Sequence, residues 1–220
     1  MEQRIHIIVG HYGSGKTEFA INYALKLKET FETVYIVDLD IVNPYFRTND
    51  AKEQLEKLGL SVIASAYASS NVDVPALPSE VHRVFADKNA AVVFDVGGDD
   101  DGAVALGRYK QFFNQETPEM LFVINTYRPL TADSASIIQM IENIEAVSRQ
   151  KITGLVNSSN LAGLTTAEEL VKGQTITDEV SQKTGLPCVY VAGLEPVLSK
   201  LPKDFSAKTF CIKRFMEPRF

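Results

Sequence analysis

Short apolar runs rich in β-branched residues alternate along the chain with longer stretches of helical periodicity. The apolar runs fall at 4–9, 33–38, 61–65, 91–96, 120–125, 151–157 and 187–192. Their length and composition predict strands. Between them, spacing at three and four residues predicts helices over 16–29, 50–58, 79–88, 103–115, 131–149 and 166–183. In the fifth of these, Ile137, Ile138, Ile141, Ile144 and Val147 fall on one stripe. Ahead of the sixth, Thr165 or Thr166 with Glu168 or Glu169 forms a capping box. Gly173 is expected to interrupt that helix.

Strands that are apolar throughout must be covered on both sides. The pattern therefore predicts an α/β fold of three layers, with a mostly parallel sheet of about seven strands and helices on both faces. No repeat, low-complexity stretch or linker divides the 220 residues, so one domain over 1–220 is expected. In such sheets ligands bind at the carboxyl ends of the strands. The loops that follow the strands are the places to look.

The first of these loops reads VGHYGSGKTEF, Val9 to Phe19. Gly10, Gly15, Lys16 and Thr17 satisfy G-x-x-x-x-G-K-[ST] directly between a predicted strand and a predicted helix, the context the motif requires. The backbone through Gly10, His11, Tyr12, Gly13, Ser14, Gly15, Lys16, Thr17 and Glu18 is thus the candidate cradle for a nucleotide's phosphates. Its helix N-terminus adds a favourable dipole. Lys16 is expected to reach the β- and γ-phosphates, and the Thr17 hydroxyl to bind Mg²⁺.

Two later loops carry carboxylates. In VDLDIVNPYFR, Asp38 and Asp40 are two residues apart, which in a continuing strand puts them on one face toward the metal and γ-phosphate. The alternative for Asp40 is a turn residue ahead of Asn43-Pro44. In FDVGGDDDGA, Asp95 ends a strand where a carboxylate can hold a water on Mg²⁺. Gly98 completes D-x-x-G and can offer its N–H to the γ-phosphate. Asp99 to Asp101 lack the ligand spacing of an EF-hand and read as a solvated acidic face.

Together the glycine loop, the D-x-D and the D-x-x-G resemble the MinD/ParA-type P-loop ATPases, within the wider CobQ/CobB/MinD/ParA nucleotide-binding family. The resemblance runs from Arg4 to about Pro196. It implies the three-layer P-loop NTPase fold, ATP and Mg²⁺ as cofactors, and hydrolysis as the activity. It implies Asp40 as the residue that orients or activates the attacking water, Asp38 as support for the metal, and Asp95 as the Walker B acid. It places the base near Asn157, in GLVNSSN, and near the AGLEP segment after the last predicted strand. Asn157 can also be simply the turn residue that ends a strand. Asn157-Ser158-Ser159-Asn160 lacks the Lys and Asp of the guanine signature N-K-x-D, which favours adenine. The family's deviant loop carries a lysine that reaches across a homodimer, and here that position is His11. A histidine carries such a charge only conditionally near neutral pH.

Composition narrows the partners. The net charge of −6 disfavours general attraction to nucleic acid. No segment is long enough for a membrane span, and Pro218 with the short tail argues against an amphipathic C-terminal anchor. The run Ile5 to Val9 is too short for the core of a signal peptide. The two cysteines, Cys188 and Cys211, read as reduced packing residues, so a cytoplasmic location is expected. Arg47 and Arg108 are further candidates to neutralise phosphate, and 65–79 is a long small-residue loop at the ligand edge. Three functions follow. One is an ATPase switch acting on an unidentified protein partner, with an ATP-dependent homodimer. The second is an ATP-dependent small-molecule ligase or kinase, related to dethiobiotin-synthetase-like enzymes. The third is a regulatory module that binds nucleotide without hydrolysis, against which Asp40 and Asp95 argue.

Overall fold

In the computed structural model, residues 3–39, 51–64 and 79–216 are described. Asp40, Arg47 and the 65–78 part of the long loop lie outside the described residues.

The strands are β1 (Ile5–Val9), β2 (Val34–Leu39), β3 (Ser61–Ala64), β4 (Ala91–Val96), β5 (Glu119–Ile124), β6 (Gly154–Asn157), β7 (Cys188–Gly193) and β8 (Thr209–Cys211). They form one sheet in the order β3-β2-β4-β1-β5-β6-β7-β8, with every pairing parallel. The sheet has eight strands rather than seven. β8 is three residues long with only Phe210 buried, so it carries no apolar run to mark it.

Because successive side chains of a strand alternate between faces, the sheet builds two cores. On one side, helix α1 (Lys16–Leu27) and helix α2 (Lys52–Lys57) cover Ile8, Val34, Ile36, Val93 and Val123, using Phe19, Ile21, Ala24 and Leu55. On the other, Ile7, Val37, Phe94 and Phe122 pack under α3 (Ser79–Ala86), α4 (Asp99–Gly107), α6 (Ser134–Ser148) and α7 (Ala167–Thr184). Ile137, Ile141 and Ile144 of α6 supply the expected stripe, each burial worth about 1.5–3 kcal/mol.

The helix over 103–115 is two pieces, α4 and the single turn α5 (Lys110–Phe113), with Tyr109 buried at the break. The acidic run Asp99–Asp101 forms the first turn of α4 rather than a loop. α6 starts on Asp133, whose carboxylate accepts from the Ala135 and Ser136 amides at 3.0 and 2.9 Å. The capping box of α7 is Thr166 with Glu169. Gly173 does not interrupt that helix. It is buried inside it, where a Cβ would stand 2.5 Å from the Cβ of Ser159, so the missing side chain admits the loop after β6. The short helix α8 (Glu195–Leu198) follows β7. Cys188 is half-buried, Cys211 is exposed rather than packed, and neither forms a disulfide.

Candidate nucleotide site

The carboxyl ends of β1, β2 and β4 meet at the centre of the sheet, where strand order reverses. The glycine loop leaves β1 there. Gly10 has φ 154° and Gly15 has φ 87°, conformations that side-chain-bearing residues rarely adopt. A Cβ on Gly10 would also stand 2.5 Å from the carbonyl oxygen of Val123. The loop closes on itself through Ser14 N–H to the His11 carbonyl at 3.0 Å, and α1 opens with Phe19 N–H to the Gly15 carbonyl. Lys16 and Thr17 are buried in its first turn.

Opposite that turn, Asp38 of β2 and Asp95 of β4 are register partners on neighbouring strands. Alternation puts both on the side of Ile36 and Val93, the side that α1 covers. Gly98 is the N-cap of α4 and abuts the glycine loop. A Cβ there would lie 2.8 Å from the Tyr12 nitrogen. The other flank of the loop is held by two residues with no signal in a local motif. Asn125, at the end of β5, donates to the carbonyls of Gly13 at 3.4 Å and Asn160 at 3.2 Å, and accepts from the Asn160 amide at 3.1 Å. Arg128 Nε donates to the Gly13 carbonyl at 3.0 Å.

From this loop a cavity of about 350 Å³ extends along the sheet edge toward β7. Its phosphate-loop end comprises Tyr12, Gly13, Gly15, Lys16, Thr17 and Glu18. Gly10, His11, Ser14, Asp38, Asp95 and Gly98 are not part of its lining. Its far end is mostly apolar, with Leu170 of α7, Ala192 and Gly193 of β7, Leu194, and Val197 of α8. Ile212, Arg214 and Met216 close it from the C-terminal segment.

Two residues expected to touch nucleotide are turned to other work. The side chain of Asn157 is fully buried; it donates to the Leu170 carbonyl at 2.9 Å and to Gln174 Oε1 at 3.1 Å. Its oxygen accepts from the Ser159 amide. Asn157 thus braces β6 against α7, and Ser158, Ser159 and Asn160 reach the cavity in its place. Glu18 borders the cavity, but its carboxylate accepts from the Phe215 amide at 3.0 Å and the Met216 amide at 2.7 Å. Burial raises the Glu18 carboxyl above its ordinary range, against the opposing pull of those amides and of Arg214.

The donor set suits magnesium. Mg²⁺ is held by one or two carboxylates, a hydroxyl, waters and phosphate oxygens rather than by an all-protein cage. Among the described residues no group of three or more His, Cys, Asp or Glu side chains forms such a cage. Thr17, Asp38 and Asp95 are the hydroxyl and carboxylates that could hold such an ion.

A parallel sheet covered on both faces, with a glycine loop leading from its central strand into a helix, is a P-loop NTPase fold. No protein-family profile and no curated protein matches the chain. Solved structures do match in fold. The cell division protein FtsY of Thermotoga maritima superimposes with a TM-score of 0.56 at 17% identity, over 87% of this chain and 64% of that one. FtsY of Mycoplasma mycoides gives 0.54 at 18% identity, over 85% and 59%. The signal recognition particle receptor FtsY of Elizabethkingia anophelis, in complex with GDP, gives 0.52 at 19% identity, over 87% and 58%. The chain thus spans about six-tenths of the length of these proteins. Among the described residues, no helix is long and apolar enough to cross a membrane.

Proposed function

We propose that this protein binds Mg·ATP in the cleft that starts at Lys16 and hydrolyses it, as a MinD/ParA-type switch acting on a protein partner. The observation that carries the reading is the juxtaposition of two charge systems. A buried lysine and threonine open α1 at the glycine loop, and the register-paired Asp38 and Asp95 face the same helix. Phosphate and metal are the ligands that need both.

Lys16 and the loop amides bind and orient the β- and γ-phosphates, and the helix N-terminus favours their charge. Mg²⁺, when bound, would supply positive charge to offset that of the phosphates. Thr17 would give it a direct ligand, and Asp95 would hold a water beside it. Gly98 packs against Tyr12 beside the loop, and its N–H registers the γ-phosphate. Loss of that contact after hydrolysis is the release step of the switch. Asp40 orients the attacking water, and ATP joins two copies through the loop that carries His11.

A guanine nucleotide is the competing occupant, because one FtsY of similar fold is a GDP complex. Ser158 and Asn160 stand where the guanine signature has Lys and Asp. A carboxylate can accept from both N–H groups of guanine, whereas the Asn160 amide is occupied by the Ser158 carbonyl at 2.8 Å and the Ala162 amide at 3.2 Å. The cavity's base end is otherwise apolar, which favours adenine.

Single-turnover hydrolysis of Mg·ATP by the wild type and Asp40→Ala tests the switch. The variant should bind ATP and turn over about 100-fold slower or worse, and should hold a protein partner or second copy only with ATP. Equal turnover would remove Asp40 from the mechanism. Hydrolysis that requires an added small-molecule acceptor would establish a ligase or kinase instead.

A further inference from the structure

The last described stretch, residues 212–216, runs over the first turns of α1, and the backbone of Ile212, Lys213, Phe215 and Met216 is hydrogen-bonded. Ile212 N–H donates to the Gly193 carbonyl of β7 at 2.9 Å. Lys213 exchanges two bonds with the Asn22 side chain, each 2.8 Å. Phe215 and Met216 donate to Glu18. Ile212, Phe215 and Met216 pack against the core that α1 covers, and Ile212 and Met216, with Arg214, also line the cavity.

This stretch is built rather than draped. A carboxylate taken from water costs several kcal/mol unless its oxygens are satisfied. Glu18 meets that requirement with backbone N–H groups from a segment 197 residues away in the chain. Glu18 directly follows Lys16 and Thr17, so the same helical turn that addresses phosphate also holds the segment. The cavity is consequently flanked by apolar side chains from both faces of the sheet. Leu170 and Val197 come with α7 and α8, and Ile212 and Met216 come over α1. A slot between two apolar walls suits a flat heteroaromatic ring, and methionine sulfur makes favourable contacts with such rings.

We propose that residues 212–216 are a wall of the nucleotide site that grips the base through Ile212 and Met216, and that Glu18 is the positioning residue that fastens this wall to the phosphate loop. The proposal rests on the nucleotide reading above, and it assigns Glu18 to the protein's own backbone rather than to the ligand.

The test compares two probes, Mg·ATP and inorganic tripolyphosphate, which shares the phosphate chain and lacks the base. Calorimetric titration of the wild type, Met216→Ala, Glu18→Gln and Glu18→Ala gives the ratio of the two dissociation constants for each. Met216→Ala should weaken ATP by about tenfold relative to tripolyphosphate, the loss expected from one apolar contact. Glu18→Ala should raise the ratio further. Glu18→Gln should fall between wild type and alanine, because its remaining carbonyl keeps the acceptor that Phe215 and Met216 share. An unchanged ratio in both alanine variants would overturn the wall while leaving the nucleotide site standing. A wild type that binds neither probe would overturn the nucleotide reading and this inference with it.

Discussion

Asp38 and Asp95 are direct register partners on adjacent parallel strands, and both face the helix that begins at Lys16. Two carboxylates side by side at a sheet's carboxyl edge suit a shared cation, and Mg²⁺ carried by a nucleotide is the one proposed above. Asp95→Asn should weaken the Mg²⁺ dependence of ATP binding and slow turnover by about 10- to 100-fold, the usual effect of removing an outer ligand. Metal-free ATP binding should persist. Titrations with and without Mg²⁺ separate the two effects, and an undiminished metal dependence would remove Asp95 from the metal site.

Gly173→Ala should destabilise the protein, against the ordinary sign. In a helix interior alanine is favoured over glycine by about 1 kcal/mol. Here the added methyl would meet Ser159 at 2.1 Å from its hydroxyl oxygen and 2.5 Å from its Cβ. The melting temperature should fall by a few degrees, at about 2–4 °C per kcal/mol for a chain of this size. ATP affinity should fall with it, since Ser159 borders the cavity. A stabilised variant would show that the loop after β6 yields freely.

The acid limb of stability should depend on Glu119. Burial alone would raise its carboxyl, but hydrogen bonds from His6 and Tyr23, each 2.8 Å, outweigh that and hold it below the ordinary carboxylate range. A lowered folded value means that the unfolded chain binds the proton more readily. The associated stability is therefore present above the unfolded value and is lost as pH falls through the folded one. Denaturant midpoints measured from about pH 7 down to about pH 3 should fall less steeply in Glu119→Gln than in the wild type. Parallel curves would place the acid sensitivity elsewhere.

ATP should outcompete GTP. Asn160 borders the cavity where a guanine reader has a carboxylate, and its amide groups are already bonded to neighbouring backbone. Asn160→Asp should shift the preference toward GTP, because an added carboxylate supplies acceptors for guanine. Competition of each nucleotide against a fluorescent ATP analogue reads both effects. Equal or stronger GTP binding by the wild type would remove the adenine assignment and leave the phosphate site intact.

What the sequence discloses here follows the range of the interactions involved. The phosphate loop is a contiguous spacing of glycine, lysine and threonine, so it is visible locally. The strands at the centre of the sheet show as runs such as Ala91–Phe94 and Met120–Ile124 because both their faces are buried. β8 stays hidden because a three-residue edge strand buries one side chain. Asn157 is the base contact that the sequence suggests. The packing of β6 on α7 turns it inward, and Asn160 borders the cavity instead. Asn125, Arg128 and the tail's hold on Glu18 depend on contacts more than a hundred residues apart, which no local pattern encodes.

The proposed function requires that the cleft starting at Lys16 hold a nucleotide by its phosphates. Calorimetric titration of Mg·ATP into the wild type and Lys16→Ala tests it most directly. The wild type should bind one equivalent, and the variant should lose about 2–5 kcal/mol, or roughly 30-fold or more in affinity, because a buried charge contact is removed. Absence of binding to the folded wild type, or equal affinity in folded Lys16→Ala, would contradict the account.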